Sequence, residues 1–290
     1  MTTAGQTGKR ILCIGSGLVG SRFGELARAA GHTVIGTTTT PEKVDTLTSF
    51  DDVRVLRGSD AEAVASAAKD CDAVVVTAGP SAAQAMSVED RQATYREVLV
   101  ATAESVVAAP GSPHLVMLSS LSVYGDAANH VDLINEDSPT TTSDDPSPAN
   151  FLAAERVYTD SAAERTTIFR CADIYGADDP PIEAKVAMAH NMLKGSVPFG
   201  GEALFYRVNV EDVAAAILFA VNNSMLGTFN LTHAEMPDSN RTLFDRIGAD
   251  QGFEPLEFRD EIAAPRKPIS TARLADAGFE LAHTEAFTTQ

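Results

Sequence analysis

Glycines 15, 17 and 20 follow the apolar run Ile11-Leu-Cys-Ile14 with the spacing G-x-G-x-x-G. Each glycine of such a loop has a physical task in holding a dinucleotide pyrophosphate. The first permits a tight turn, the second lets the ligand approach the backbone, and the third lets helix and strand pack closely. The free N–H groups and positive dipole end of the following helix then face the phosphates. On this reading Gly15, Gly17, Leu18, Val19 and Gly20 bind the cofactor. The bland alternative is a set of ordinary turn glycines, but the order strand, loop, helix, strand from 10 to 37 favours the cradle.

About twenty residues beyond such a loop, an Asp or Glu usually accepts hydrogen bonds from the adenosine ribose of NAD. That position is Thr37, followed by Thr38, Thr39 and Thr40. Hydroxyls without a carboxylate, with Arg22, Lys43 and Arg57 as sources of positive charge, suit a 2′-phosphate. NADP is therefore the favoured cofactor and NAD the alternative. Arg22 can equally be a solvated helix residue, and the threonines a β-prone strand end followed by a helix cap.

The elements that must position these residues alternate strand and helix from residue 10 to about 170. Parallel strands are predicted at 11–14, 33–37, 53–56, 73–77, 114–118 and 166–170, with helices at 18–30, 60–68, 89–108 and from about 148. This is the pattern of an α/β, Rossmann-type doubly wound parallel sheet. Beyond 176 the alternation breaks down, and we expect a Rossmann domain over 1–176 and a small, mostly helical C-terminal cap over 177–290 with chain returning to the core sheet. Strand candidates there are 204–208 and 227–231, and a helix opens at Asn209-Val-Glu-Asp212. The connection 126–147, rich in Asp, Ser, Thr and Pro, is long enough to be functional or disordered.

A net charge of -18 repels nucleic acid and anionic membranes, so neither is expected as a partner. Cys13, Cys71 and Cys171 have no metal-ligand spacing and read as small buried hydrophobes. No run reaches membrane-spanning length and Met1 to Lys9 has no apolar signal core, so a cytoplasmic protein with a small-molecule substrate is expected.

Further landmarks follow in order: Gly58-Ser-Asp60, Thr77-Ala-Gly-Pro80, Ser119-Ser-Leu-Ser-Val-Tyr-Gly125, Phe169-Arg-Cys-Ala-Asp-Ile-Tyr-Gly176 and Arg207-Val-Asn-Val-Glu-Asp-Val213. Together with the glycine loop this series resembles the extended short-chain dehydrogenase/reductase superfamily, the NAD-dependent epimerase/dehydratase group, in its atypical form. The resemblance implies that Asp60 contacts adenine, that Ala78 and Gly79 lie against the adenosine half, and that Ser120 is the catalytic hydroxyl. Asp60 could instead cap a helix, and Ser119 and Ser120 could cap backbone at a strand end. It also implies a homodimer through helices 89–108 and 148–164.

One departure bears on mechanism. Where the superfamily carries Y-x-x-x-K followed by Glu, this chain has Ser147, Phe151 and Glu155, and no Tyr-x-x-x-Lys occurs anywhere in it. Carbonyl reduction by hydride needs a proton donor, and alcohol oxidation needs a base. Tyr124 and Tyr175 are the candidate substitutes, each needing a nearby charge; packing is the alternative for Tyr124. Asp173 reads as a capping residue, and Lys185 and Lys194 as a solvated helix face. Two functions follow: an NADP-dependent oxidoreductase or epimerase-like enzyme on a small hydroxy or oxo compound, or a cofactor-binding sensor or regulator without hydride transfer. An unrelated Rossmann enzyme such as a methyltransferase fits the glycine loop but not the later landmarks.

Overall fold

Apolar runs too short for helices become the strands of the central sheet in the computed structural model, which describes residues 8–80, 87–176 and 179–284. In chain order the elements begin β1 (Arg10–Ile14), α1 (Leu18–Ala29), β2 (Thr33–Thr38), β3 (Asp52–Val55), α2 (Ala61–Ala67), β4 (Ala73–Val76), α3 (Val88–Tyr95) and α4 (Thr102–Val107). They continue with β5 (His114–Ser120), α5 (Pro146–Ala162), β6 (Thr166–Cys171), β7 (Asp173–Tyr175), α6 (Ile182–Leu193), β8 (Ser196–Phe199) and β9 (Arg207–Asn209). The last are α7 (Val210–Asn223), β10 (Gly227–Leu231), α8 (Asn240–Asp250), β11 (Glu257–Ile262) and α9 (Ala272–Asp276).

Seven strands form one parallel sheet in the order β10-β6-β5-β4-β1-β2-β3. The strand order reverses beside β1, where open α/β sheets bind ligands outside the carboxyl ends of their strands. Register is set by buried partners on both sides of β1, with Ile11 opposite Val34 and Ala73, and Cys13 opposite Gly36 and Val75. Six of these strands match the six predicted ones, and the seventh is the 227–231 segment, which joins beside β6. The expected Rossmann architecture is therefore present, one strand wider.

By packing, the chain forms two compact units whose segments interleave along the sequence. Unit 1 takes 1–119, 149–170 and 210–229; unit 2 takes 120–148, 171–209 and 230–290. The core of unit 1 is built from strand residues such as Leu12, Ile14, Val74, Val76, Leu115 and Ile168, covered by Val64, Leu99, Ala103, Val106, Ala154 and Tyr158 from helices. Helix α7 packs on α1. The core of unit 2 joins Ile182, Val186 and Ala189 of α6 to Val197, Leu243, Phe244, Ile247 and Leu256. Beside its helices, unit 2 holds two small parallel pairs, β7 with β9 and β8 with β11.

Two local features differ from the sequence reading. The single helix predicted over 89–108 is α3 and α4 joined by a π-helical segment, Arg96–Ala101. The 126–147 connection contains no named helix or strand before α5 opens at Pro146, and it is tied by a bridge from Ile134 to Ile269 and by Thr141 N–H donating to the Val123 carbonyl at 2.8 Å. No helix among the described residues is long and apolar enough to cross a membrane.

Candidate functional site

The loop after β1 is held by hydrogen bonds that use most of its own polar atoms. Gly15 has φ +103°, and a Cβ there would lie 2.5 Å from the Ala78 nitrogen, so only glycine fits. Gly15 N–H donates to Thr37 Oγ1 at 3.0 Å, Ser16 Oγ donates to the Thr37 carbonyl at 2.7 Å, and Thr77 Oγ1 donates to the Gly15 carbonyl at 2.7 Å. A Cβ on Gly20 would sit 1.9 Å from the Gly15 carbonyl oxygen, which fixes the close approach of α1 to the loop. At Gly17 and Gly79 the situation is opposite: a Cβ at either would meet nothing of the protein within 4 Å. Their bareness serves the space outside the chain.

That space is a cleft of about 500 Å³ within unit 1. Gly15, Gly17, Thr37, Thr38, Lys43, Ala78 and Gly79, all singled out in the sequence, line it together with Ser16, Arg57 and Gly58. Leu47, Leu56 and Val98 also line it. Sequence reasoning missed these three, because an apolar side chain at the end of a strand or inside a helix reads as core. No carboxylate is among the described lining residues, whose formal charges are those of Lys43 and Arg57. Lys43 makes no ion pair with a described residue, and Arg57 reaches Glu97 at 3.3 Å across an exposed surface.

The other candidates fall elsewhere in unit 1. Leu18 is exposed and Val19 buried on α1, and neither lines the cleft. Arg22 is captured by Glu211 and Glu25, both at 2.6 Å, and does not reach it. Asp60 takes its capping alternative, accepting from Ala63 N–H at 3.0 Å as the N-cap of α2. Thr37 is buried with its hydroxyl accepting from Gly15, and Thr38 Oγ1 accepts from Thr40 N–H at 3.1 Å. These two threonines shape the cleft from within. Burial pushes the Cys13 thiol up to about 12, against a smaller lowering by its hydrogen bond with Thr77, so it is no nucleophile at neutral pH.

Three polar groupings occur outside the cleft lining. In unit 1, the Glu155 carboxylate accepts from Ser119 Oγ at 2.5 Å and from Arg170 Nε and Nη2 at 3.1 and 2.7 Å, with all three residues buried. Phe151, at the position where the resemblance expects a Lys, packs against the apolar core. In unit 2, Ser120 Oγ accepts from Ser122 N–H at 3.1 Å, which leaves its own proton available to donate. Tyr124 is fully buried and its phenol donates to Asn230 Oδ1 at 2.7 Å. That geometry favours its packing role over a proton transfer role.

Tyr175 has a charged neighbour. The Arg207 guanidinium lies 4.4 Å from its ring centroid, and its hydroxyl is 3.4 Å from His233 Nε2. Asp173 and Lys185 belong to the same cluster rather than to a helix cap and a solvated face. Arg207 pairs with Asp173 at 3.4 Å and Asp179 at 2.6 Å, and Lys185 pairs with the same two carboxylates at 3.7 and 2.9 Å.

A parallel sheet whose first strand runs into this glycine loop and helix defines a Rossmann-type α/β protein. Residues 11–231 match the model of the NAD dependent epimerase/dehydratase family, and the chain belongs to that family. A comparison with curated proteins gives no match. Among solved structures it is similar to the Bordetella bronchiseptica enzyme WbmH in complex with NAD+, with 19% identity, TM-score 0.73 and coverage of 95% of this chain and 94% of that one. A Thermus thermophilus UDP-glucose 4-epimerase in complex with NAD is 24% identical, with TM-score 0.70 and 94% of each chain covered. A dTDP-4-dehydrorhamnose reductase from Bacillus anthracis in complex with NADP is 14% identical, with TM-score 0.70 and 95% of each covered.

Proposed function

We propose that the protein is an NADP-dependent oxidoreductase or epimerase-like enzyme acting on a small hydroxy or oxo compound. The observation that carries the reading is the unit 1 cleft, with two glycines left bare toward its interior, no carboxylate among its described lining residues and Lys43 and Arg57 as their charges. Gly17 leads into the N-terminus of α1, whose unpaired N–H groups suit a pyrophosphate. Leu47, Leu56 and Val98 supply apolar surface for an adenine face, and Lys43 with Arg57 a counter-charge for a 2′-phosphate. A bound nicotinamide would supply or accept the hydride. Ser120 Oγ, already accepting from Ser122, has a proton with which to polarise a substrate oxygen. Tyr175 beside His233 is the pair suited to carrying the proton that hydride transfer requires.

Two substitutions test the cradle. Gly17→Ala is expected to cost no more than about 1 kcal/mol of stability, the scale of an N-cap change, while weakening NADPH binding at least about tenfold, or 1.4 kcal/mol. Gly20→Ala, whose Cβ has backbone 1.9 Å away, is expected to destabilise the fold by about 1–3 kcal/mol. Urea melts and NADPH fluorescence titration separate the two. For selectivity, Lys43→Ala should weaken NADPH by about tenfold and leave NADH nearly unchanged. Equal losses for both cofactors would refute the assignment of Lys43 to a 2′-phosphate.

A second reading is a cofactor-binding sensor or regulator without hydride transfer. The packing of Phe151 in the core favours it, because no cation stands at the usual position. Following NADPH absorbance against aldehydes, ketones and nucleotide sugars discriminates the two: binding without turnover on any of them supports the sensor.

A further inference from the structure

We infer that unit 2 carries a binding groove for an uncharged aryl or alkyl ketone or alcohol, and that this is the class of compound the enzyme proposed above acts on. The groove lies along α6, has a volume of about 380 Å³ and falls within the range of small-ligand sites. Its aromatic surface comes from Phe199, Phe205 and Phe244, packed edge to face with centroids 5.4 and 5.5 Å apart. Along its other side run Met188, Met192 and Leu193, exposed by 47%, 71% and 50%.

These exposures need an explanation that core packing does not give. Helix α6 already buries Ile182, Val186 and Ala189 in the core of unit 2, so its Met and Leu side chains form a second apolar surface. Leaving large apolar groups in water forgoes about 25 cal/mol for each Å² not buried. Methionine is also the side chain best able to adapt to ligands of varied shape.

Charge decides the class of ligand. Among the described residues, the charged ones lining the groove are Asp173 and Lys185, and they pair with each other. Lys185 and Arg207 share the carboxylates of Asp173 and Asp179, two cations against two anions. The groove therefore offers no surplus positive charge to a phosphate. A nucleotide diphosphate would bring negative charge into it uncompensated, at a desolvation cost that a neutral molecule avoids. One polar handle remains. The Asp173 carboxylate is half exposed and can accept from a hydroxyl, and the Lys185 ammonium can donate to a carbonyl. An apolar body with one hydroxyl or carbonyl group satisfies both ends.

The inference rests on the enzyme reading for the word substrate, but binding can be tested without it. The probe is prodan, a neutral aryl ketone whose fluorescence reports the polarity around it, titrated into the full-length protein with and without NADPH. We expect saturable binding at one site per chain, displaced by benzylacetone and not by UDP-glucose. Met192→Glu and Leu193→Asp, both at exposed positions, should weaken prodan by about tenfold or more, with melting temperature and NADPH affinity unchanged. Prodan binding that persists when NADPH does not bind upholds the groove and overturns only the cofactor reading. Equal prodan binding by wild type and Met192→Glu, displacement by UDP-glucose, or a wild-type dimer dissociated by Met192→Glu in sedimentation would each overturn the inference, the last by making the groove an interface between copies.

Discussion

Replacing Arg170 by alanine is expected to destabilise the protein by about 3–5 kcal/mol, because the substitution strands a buried carboxylate. Glu155 and Arg170 have side-chain exposures of only 7% and 9%, and the guanidinium makes a two-point contact with both carboxylate oxygens. The third partner, Ser119 Oγ, donates to the same Oε1 and cannot neutralise a charge. The cost measures the unpaired anion rather than the worth of the pair. A buried ion pair exchanged whole for apolar side chains of similar volume is often neutral in stability. The triple substitution Arg170→Met, Glu155→Leu, Ser119→Ala should therefore be markedly more stable than Arg170→Ala alone, with Ser119 changed so that its hydroxyl is not left without an acceptor. Urea midpoints at constant m-value make the comparison. If the triple variant is as unstable as the single one, the stranded-charge account fails. The network also anchors the carboxyl end of β5, on which Ser120 is the last residue.

The parts of this fold that could be read in advance are those whose cause is local. Ile11 to Ile14 is apolar on both faces because both faces of the parallel sheet are covered at β1, where four consecutive side chains are buried, and the glycine spacing reflects a turn at Gly15 and a close approach at Gly20. The parts that could not be read depend on partners distant in sequence. Arg22 looked available for a phosphate, but Glu211, 189 residues away, reaches it when α7 packs on α1. Thr37 reads as a ligand donor, and its buried hydroxyl accepts from Gly15 N–H. Asp60 was open between ligand and cap, and the cap is what its carboxylate makes. Lys185 looked like a solvated helix residue, yet it shares two carboxylates with a buried arginine. In each case the residue type was informative about chemistry and silent about which partner would arrive. Apolar lining is harder still, since Val98 in a cleft and Leu99 in the core are adjacent residues of one π-helical segment.

Tyr175→Phe is expected to lower kcat by about two to four orders of magnitude, the usual scale for losing a positioned acid or base. The substitution removes only the hydroxyl that stands 3.4 Å from His233 and keeps the ring on which Arg207 lies. Stability should change by no more than about 1 kcal/mol, the net worth of one partly exposed hydrogen bond. NADPH affinity should not change, because every described residue lining the cleft proposed for it belongs to unit 1 and Tyr175 to unit 2. Tyr124→Phe provides the opposite pattern. Its phenol is fully buried and donates to Asn230, so removing it leaves a buried amide oxygen short of a donor and costs about 1–3 kcal/mol in stability. Turnover of the surviving folded protein should be close to wild type. The two tyrosines thus separate a chemical role from a structural one by which measurement moves, kcat or the urea midpoint. Loss of turnover in Tyr124→Phe with none in Tyr175→Phe would reverse the assignment, and would mean that the buried phenol, rather than the one beside a cation and an imidazole, stands in for the missing Tyr and Lys.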